Sequence, residues 1–325
     1  MGETKPDAGV LLGLDIGGTQ IKAACVDDSG AIIRTGRVNT PAGLADFRQA
    51  VRGLLRELLR PPVEIEAAGI GCKGIINPET TRVEVLPGTV HYLEGEVLAE
   101  IVAPVLPAGI PITADNDARV ALAGEVAWGV ARDCRDAVML TLGTGVGGGI
   151  LANGRILRGA SGAAGHIGHL TMDPDGPLCI CGNRGCLETL FSARAIESEA
   201  FAGIHRGVES RLSTSESKVP TCAEVFVLAE QGDAMAHDII SRATHVLGAA
   251  LAGLAHVLDP EMIILGGQIS AAGDALLEPL RRDVGWRARC LLRRDVPVVR
   301  SKLVDPSGVI GAAALALEAR RQRDA

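Results

Sequence analysis

The chain has 325 residues, of which 47% are hydrophobic, 22% charged and 2% aromatic, and its formal net charge at pH 7 is −7. This length predicts about two domains with an aliphatic core, and the acidic charge argues against sequence-independent nucleic-acid binding, which requires a basic surface. The first ten residues lack a secretory signal, and the longest apolar segment, 246–258, is too short to span a bilayer. We therefore expect a cytoplasmic protein with neither a membrane nor a nucleic-acid partner.

Apolar periodicity and turn residues predict that strands and helices are mixed along the chain. Strands are predicted at 10–14, 23–26, 68–72, 111–113, 137–142, 262–265 and 296–299. Helices are predicted at 44–60, 118–130, 193–202, 234–258, 272–282 and 309–321. The Ser-rich segment 206–220 indicates a surface loop, and the mixture of strands and helices indicates a layered α/β fold.

One sequence plan occurs twice, in LLGLDIGGTQIKAACVDDSGAII and in VMLTLGTGVGGGILANGRIL. Each copy reads as a strand, a Gly/Thr-rich turn, a second strand, a tight turn and a third strand. Asp15 corresponds to Thr141 and Gly17 to Gly143, an offset of 126 positions. The repeat predicts two related lobes that each offer a glycine hairpin to a shared ligand; chance similarity of two hairpins is the alternative.

The second copy contains a GxGxxG motif at 143–148, which is typical of dinucleotide sites when a helix follows it. Here Asn153-Gly154 lies between two apolar runs, which is a strong signal for a two-residue β-hairpin. The sequence therefore predicts a strand after the glycines and argues against a dinucleotide site.

A glycine-rich hairpin can still bind phosphate, because its backbone N–H groups approach the anion and Thr hydroxyls add donors. In the first copy, Asp15 ends a strand two residues before Gly17-Gly18-Thr19. A carboxylate at that point suits Mg²⁺ held through water beside phosphates. The alternative is a plain tight turn in which Asp15 has no ligand.

Four of the possible metal ligands cluster, namely His169, Cys179, Cys181 and Cys186. A Cys-x-Cys-x₄-Cys motif with a His ten residues upstream supplies the nitrogen and sulfur ligands of a closed tetrahedral zinc site. Three thiols so close together favour a metal over one activated thiolate, and three free thiols remain the alternative. The other five cysteines are predicted to be small core residues.

If the predicted phosphate site served phosphoryl transfer to an alcohol, the reaction would require a group that accepts the hydroxyl proton. Asp115, Asn116 and Asp117 lie between a predicted strand and an Ala-rich helix, so either carboxylate is a candidate base. Simple capping of the helix is the alternative for these residues.

Together these motifs resemble the ROK (repressor, open reading frame, kinase) family. The motifs that carry the resemblance, from about Leu11 to Ala314, are Asp15-Ile-Gly-Gly-Thr19, Asn116-Asp117-Ala118, Leu142-Gly-Thr-Gly-Val-Gly-Gly148, Gly168-His169, Cys179-x-Cys181-Gly-x-x-Gly-Cys186-x-Glu188 and Asp259-Pro-Glu-x-Ile-x-Leu-Gly-Gly267. The resemblance implies a two-lobed actin-like (sugar kinase/heat-shock ATPase) α/β fold with a duplicated β-β-β-α core and a zinc loop. It also implies a homodimer, with lobes at 1–115 plus 309–325 and at 116–308.

The resemblance further implies ATP-dependent phosphorylation of a sugar, at O6 of a hexose such as glucose or an amino or N-acetyl hexose. Asp117 is the implied general base, and Asp115 is the runner-up. The implied sugar contacts are Asn116, Asp117, His166, His169 and Glu188. The implied ATP and Mg²⁺ residues are Asp15, Gly17, Gly18, Thr19, Lys22, Thr141, Gly143, Thr144, Gly145, Gly147, Gly266 and Gly267. The implied zinc ligands are His169, Cys179, Cys181 and Cys186, which shape the sugar pocket without taking part in the chemistry.

Two departures from the family motifs lie on the implied sugar side. His166 stands where the family usually has Glu, and an imidazole can donate a hydrogen bond where a carboxylate only accepts. The segment VLPGT at 85–89 replaces the usual Asn-Leu-Pro-Gly-Trp. These departures leave open a kinase for a non-glucose polyol or amino sugar, or a sugar sensor without catalysis. An actin-like ATPase that acts on proteins is disfavoured by the compact zinc-shaped pocket.

Overall fold

A computed structural model of the chain describes residues 9–61, 63–214, 219–303 and 307–324. The strands are β1 (Val10–Ile16), β2 (Gln20–Val26), β3 (Ile32–Asn39), β4 (Ile65–Cys72), β5 (Ile75–Ile76), β6 (Val83–Val85), β7 (Ile112–Asn116), β8 (Ala137–Leu142), β9 (Val146–Ala152), β10 (Arg155–Ile156), β11 (Met262–Gly266) and β12 (Val298–Arg300). The helices are α1 (Leu44–Leu58), α2 (Leu98–Val102), α3 (Asp117–Trp128), α4 (Leu187–Leu190), α5 (Ala193–His205), α6 (Cys222–Glu230), α7 (Ala234–Leu258), α8 (Asp274–Leu292) and α9 (Ser307–Asp324). Short 3₁₀ turns lie at His91–Leu93, Ala103–Val105, Ile167–His169, Arg211–Thr214 and Gln268–Ala272.

Each predicted strand and helix has a counterpart, and β8 and α7 have the predicted ends. The helix α8 runs ten residues past its predicted end at Arg282, because Leu280, Val284 and Ala288 continue its buried stripe through a highly charged stretch. Apolar periodicity does not predict α6, although Thr221 and Glu224 form a capping box at its start. Within the segment 206–220, predicted to be a loop, Arg211–Thr214 forms a 3₁₀ turn, and 215–218 lie outside the described residues.

The chain forms two compact units. The described residues within Met1–Asp133, Arg158–Ala164 and Asp305–Ala325 make up the first, and those within Cys134–Leu157 and Gly165–Val304 make up the second. This division differs from the expected lobes, 1–115 plus 309–325 and 116–308, because α3 packs against α9 in the first unit. The two helices approach closely at Gly311, where a Cβ atom would collide with the carbonyl oxygen of Val120.

The first unit contains a five-stranded sheet of order β3-β2-β1-β4-β7. Strands β1, β2 and β3 form an antiparallel meander, whereas β1, β4 and β7 run parallel. Side chains of β1 alternate between the faces, so that Leu12 packs with α1 and Leu11 packs with α9. Helices therefore cover both faces of the parallel strands, which is the arrangement that such strands require.

The second unit repeats this topology in a sheet of order β10-β9-β8-β11-β12. Its β9 begins and ends 126 positions after β2, so the duplicated β-β-β core predicted from the sequence is confirmed. Asn153 and Gly154 join β9 to β10 with φ values of 52° and 75°, the conformation of a two-residue hairpin. A strand follows the glycine-rich turn, as predicted, and the dinucleotide motif is not formed.

The core of the second unit is mainly aliphatic, with Phe191 and Phe226 as its buried aromatic residues within the described part of the chain. It joins the strands to α5, α6, α7 and α8. None of the described helices combines the length and apolar character that crossing a membrane requires.

Candidate functional site

The parallel strands of the first sheet end at one edge, where ligands bind in open α/β sheets. In the register of these strands, Ile16 of β1 lies opposite Cys72 of β4, and Cys72 lies opposite Asn116 of β7. The glycine hairpin after β1 and the Asn116-Asp117 pair after β7 are therefore brought to the same edge. The two motifs were identified independently in the sequence, where Gly17 and Asn116 are 99 positions apart.

Asp15 is half-buried near the end of β1 and lies opposite Lys22 in the β1–β2 ladder. The pKa of Asp15 is raised to about 6, first by burial and then by the negative charge of Asp117, while the positive charge of Lys22 lowers it. The two carboxylates thus lie within electrostatic reach of each other. Such an acidic pair suits a divalent cation that would neutralise it.

The turn between β1 and β2 is held by backbone hydrogen bonds and leaves its tip exposed. The N–H of Gly17 donates to the Gln20 carbonyl oxygen at 3.0 Å, and the Thr40 hydroxyl donates to the Gly17 carbonyl oxygen at 2.8 Å. Gly18 and Thr19 are exposed at the tip. These glycines leave the backbone open to an anion, as a phosphate-binding hairpin requires.

Asn116 and Asp117 begin α3 and have different roles there. The Asn116 side chain is the N-cap, accepting from the Ala118 N–H at 3.0 Å, and its amide nitrogen donates to the Gly74 carbonyl oxygen at 3.0 Å. Capping, the alternative considered from the sequence, is therefore true of Asn116, and Asp117 Oδ1 accepts from the same Ala118 N–H at 3.0 Å. Asp117 is exposed in the first turn of α3, where the helix dipole favours a negative charge.

Asp115, the second candidate base, is buried in an ion-pair network. Its carboxylate accepts from Arg119 Nε at 2.6 Å, from Arg158 Nε at 2.8 Å and from the N–H of Asn116 at 2.7 Å. Arg119 is also buried and donates to the Ala164 carbonyl oxygen at 2.7 Å, so the network fixes the segment 158–164 to the first unit. Both oxygens of Asp115 are occupied by donors.

Neither arginine of this network was predicted from the sequence. The i, i+4 spacing of Asp115 and Arg119 was a signal for one of them. Nothing local indicated Arg158, because it lies 43 positions from Asp115.

The second glycine hairpin connects β8 to β9 at the edge of the second sheet. Thr141 lies opposite Gly147 on β9 and opposite Gly266 on β11, and Thr144 is exposed at the tip. Gly267 has φ 80°, and a Cβ atom there would collide with the backbone of Leu142. The predicted residues of the second hairpin and the Gly266-Gly267 pair are therefore adjacent.

The same hairpin lies against Glu188, in the first turn of α4. A Cβ atom on Gly145 would lie 2.8 Å from Glu188 Oε2. Glu188 is half-buried, and its Oε1 accepts from the Cys179 thiol at 3.2 Å. Glu188 thus links the glycine hairpin to the cysteine cluster within the second unit.

The structure brings His169, Cys179, Cys181 and Cys186 into one cluster, whose ligand atoms all lie within 4.8 Å of one another. Cys181 Sγ is 3.6 Å from Cys186 Sγ, and Cys179 Sγ is 3.5 Å from His169 Nδ1. Ligand atoms on a tetrahedral zinc are expected about 3.7 Å apart, from Zn–S bonds of about 2.3 Å. The donor set and spacing therefore fit zinc.

His166 lies beside this cluster. Its ring is stacked on that of His169, with centroids 6.2 Å apart and planes inclined by 13°. The 3₁₀ turn Ile167–His169 begins directly after it and is pressed against β9, since a Cβ atom on Gly168 would collide with the Val146 carbonyl oxygen. His166, His169 and Glu188 thus lie on one side of the second unit.

Comparison with known proteins agrees with this architecture. The ROK family model matches residues 11–319. A glucokinase from Streptomyces coelicolor is 35% identical over 318 residues, covering 95% of this chain and 98% of that protein. An N-acetylmannosamine kinase from Shigella boydii is 34% identical over 270 residues, covering 80% of this chain and 84% of that protein. The crystal structure of a ROK family glucokinase from Streptomyces griseus in complex with glucose and AMPPNP is 32% identical, has a TM-score of 0.81 and covers 95% of this chain and 100% of that chain.

Proposed function

This chain belongs to the ROK family, and we propose that it is an ATP-dependent kinase that phosphorylates a hydroxyl group of a hexose. The observation that carries the proposal is the edge of the first sheet, where exposed Asp117 lies within electrostatic reach of Asp15 and its glycine hairpin. A proton acceptor close to a site for phosphate and a cation is the combination that phosphoryl transfer to an alcohol requires. The kinases among the relatives support the same activity.

Asp117 is the general base in this proposal. Its carboxylate accepts the proton of the attacking hydroxyl, O6 of the hexose, as the phosphoryl group is transferred. Asp115 is not suited to that role, because guanidinium groups of Arg119 and Arg158 occupy its oxygens. Asn116 binds a sugar hydroxyl; after its contacts with Ala118 and Gly74, its amide retains one N–H and one lone pair.

Each glycine hairpin is proposed, by family resemblance, to bind phosphate groups of ATP. The first unit contributes Asp15, which holds Mg²⁺ through water, together with Gly17, Gly18, Thr19 and Lys22. The second unit contributes Thr141, Gly143, Thr144, Gly145 and Gly147, and it contributes Gly266 and Gly267 next to the adenosine. Bound Mg²⁺ neutralises phosphate charge.

A structural zinc is held by His169, Cys179, Cys181 and Cys186. The spacing of the four donors supports this assignment, and a site with four protein ligands leaves no position for substrate. The ion supplies folding free energy to a loop with little apolar core of its own. Fixing this loop orients Glu188 and the free ring nitrogen of His169 toward sugar hydroxyls.

His166 is proposed as a third sugar contact of the second unit. It differs from a carboxylate in donating as well as accepting a hydrogen bond, so it suits an amino or N-acetyl substituent as well as a hydroxyl. The substrate is therefore glucose or an amino or N-acetyl hexose, with a non-glucose polyol as the second candidate. A homodimer is proposed from the family resemblance alone.

The competing function is a sugar sensor that binds its ligand without phosphorylating it. Replacing Asp117 by Asn tests the kinase, since an amide can hydrogen-bond to the sugar but cannot accept its proton. We expect Asp117→Asn to remove nearly all phosphoryl transfer in a coupled assay of ADP formation, while sugar binding by calorimetry largely survives. A variant that keeps about a tenth or more of the wild-type turnover would show that the base lies elsewhere.

A further inference from the structure

Lys73 is a charged residue at the edge of the first sheet that has no role in the function described above. It follows the last residue of β4, whose neighbours in the register are Ile16 on β1 and Asn116 on β7. The next positions along the three strands are Gly17, Lys73 and Asp117. Lys73 therefore follows the middle one of the three strands that lead to the first phosphate hairpin, to Lys73 itself and to the proposed base.

The backbone at this point is fixed by its surroundings. Gly74 has φ 96°, and a Cβ atom there would collide with the Val85 carbonyl oxygen. Its own carbonyl oxygen accepts the hydrogen bond from Asn116, and the next residue, Ile75, pairs with Val85 in the β5–β6 ladder. The backbone of Lys73 is thus held in one position relative to both Asn116 and the segment 85–89.

The segment 85–89 lies next to both the Lys73 side chain and the first glycine hairpin. Lys73 Nζ lies 3.9 Å from the position that a Cβ atom on Gly88 would take. The next residue, Thr89, has its hydroxyl oxygen 2.6 Å from the position of a Cβ atom on Gly18. An ammonium group, a hydroxyl group and the open backbone of the glycine hairpin therefore converge on one face of the first unit.

Some charged side chains at this edge of the sheet interact with another charged side chain, whereas Lys73 does not interact with one among the described residues. Asp15 interacts with Asp117 and with Lys22, which lies opposite it on β2. Lys73 is exposed, and no hydrogen bond or ion pair joins its ammonium to any residue that the structure describes. A cation without a carboxylate partner beside an acidic pair is suited to an anionic ligand.

We propose that Lys73 is a further catalytic residue, whose ammonium binds the phosphoryl group while it is transferred to the sugar. The inference rests on the proposed kinase function. In the reaction, the bond from the γ-phosphorus to the bridging oxygen of ADP breaks, a bond to the sugar oxygen forms, and the hydroxyl proton passes to Asp117. Lys73 transfers no proton; it stabilises negative charge on the non-bridging oxygens. Lys73 lies between Gly17, beside the proposed phosphate site, and Asp117, beside the attacking sugar hydroxyl. The phosphoryl group would pass between these two positions during the transfer.

The first test compares Lys73→Met with Lys73→Arg in steady-state kinetics. We expect Lys73→Met to lower kcat about a hundredfold or more, the usual loss on removing one donor aimed at transition-state charge, and Lys73→Arg to recover part of it. Sugar affinity, measured without nucleotide, is expected to stay within about twofold, because the ammonium binds the phosphoryl group. Lys302→Met, an exposed lysine of the second unit, is the matched control and should behave as wild type.

The second test needs no turnover. AMPPNP carries a γ-phosphoryl group and ADP lacks one. Calorimetry with Mg²⁺ should show that Lys73→Met weakens the binding of AMPPNP about tenfold more than the binding of ADP. An unchanged ratio of the two affinities together with a kcat within about threefold of wild type would overturn the proposal. Weakened sugar binding with an unchanged kcat would also overturn it, because Lys73 would then contact the sugar and not the phosphoryl group. If wild-type protein phosphorylates no sugar, the kinase proposal fails, but the ratio of nucleotide affinities still tests Lys73.

Discussion

Asp115 and Asp117 lie two positions apart at the end of β7, and their surroundings give them different chemistry. The Asp115 side chain is 1% exposed, and donors from Arg119, Arg158 and the backbone occupy its oxygens. A buried carboxylate held by three donors, two of them guanidinium groups, is a poor acceptor for a substrate proton. Asp117 is exposed at the start of α3, which is why the proposed reaction assigns the base to it.

Asp15 gives the apo protein a stability that depends on pH. Its pKa in the folded state, about 6, is above the ordinary carboxyl value of 3.8, so the folded state binds the proton more tightly than the unfolded state. The resulting contribution to the free energy of unfolding is complete below pH 4 and is lost as the pH rises through 6. We therefore expect Asp15→Asn to raise the Tm of metal- and nucleotide-free protein at pH 8, and to raise it much less at pH 4.5.

Thermal unfolding in a chelating buffer, followed by circular dichroism at both pH values, measures this difference. A Tm gain that is equal at the two pH values would contradict the account, because the gain would then not come from the ionised carboxylate. The same variant should bind MgATP more weakly, since an amide is a poorer partner for hydrated Mg²⁺.

His166 is expected to decide which sugar is preferred. His166→Glu should shift relative kcat/KM towards plain glucose and away from the natural substrate by about ten- to a hundredfold, the effect of 1–3 kcal/mol from a badly paired polar group. His256→Glu, on an exposed position of α7, is the control. An unchanged ranking across a hexose panel, with only stability altered, would mean that His166 merely packs against His169.

The loop that carries the proposed zinc ligands and α4 form one element of the site. Cys186 is the last residue before α4, and Glu188 is in the first turn of that helix. The loop is tightly wound: Gly182 has φ 91°, and a Cβ atom on Gly185 would collide with the Asp173 carbonyl oxygen. The position of Glu188 therefore depends on how this loop is held.

Removing a zinc ligand should consequently affect both folding and catalysis. We expect one tightly held zinc per chain by elemental analysis, and we expect Cys181→Ser to lose it, with a lower Tm and lower activity. Cys290→Ser is the matched control, because Cys290 is also exposed but lies far along the chain in α8. Chelator-treated protein that contains no zinc and unfolds at an unchanged temperature would refute a structural role.

How far the elements could be predicted depended on how local their determinants are. The strand β8 and the helix α7 have uninterrupted apolar signals, and their ends were predicted correctly. The end of α8 was not, because Arg281, Arg282 and Asp283 interrupt the apolar pattern although Val284 and Ala288 still reach the core. The ion pairs around Asp115 were not predicted in full either, since Arg158 is distant along the chain.

For the whole molecule, the duplication was the most informative feature of the sequence. The offset of 126 positions predicted matching hairpins, and the two five-stranded sheets have the same strand order. The extent of each compact unit was harder to predict, because α3 joins the first unit by packing against α9, nearly 200 positions further along the chain. Contacts over such a separation leave no periodic signal in either segment.

The proposed function is the transfer of a phosphoryl group from ATP to a sugar. It is tested by incubating the protein with MgATP and a panel of hexoses, amino sugars, N-acetyl hexoses and inositols, and by following ADP formation and the mass of the sugar product. We expect at least one hexose or hexosamine to give ADP and a sugar monophosphate in equal amounts, and Asp117→Asn to abolish both. Binding of one of these sugars without any phosphorylated product from the panel would refute the kinase function and identify a sensor.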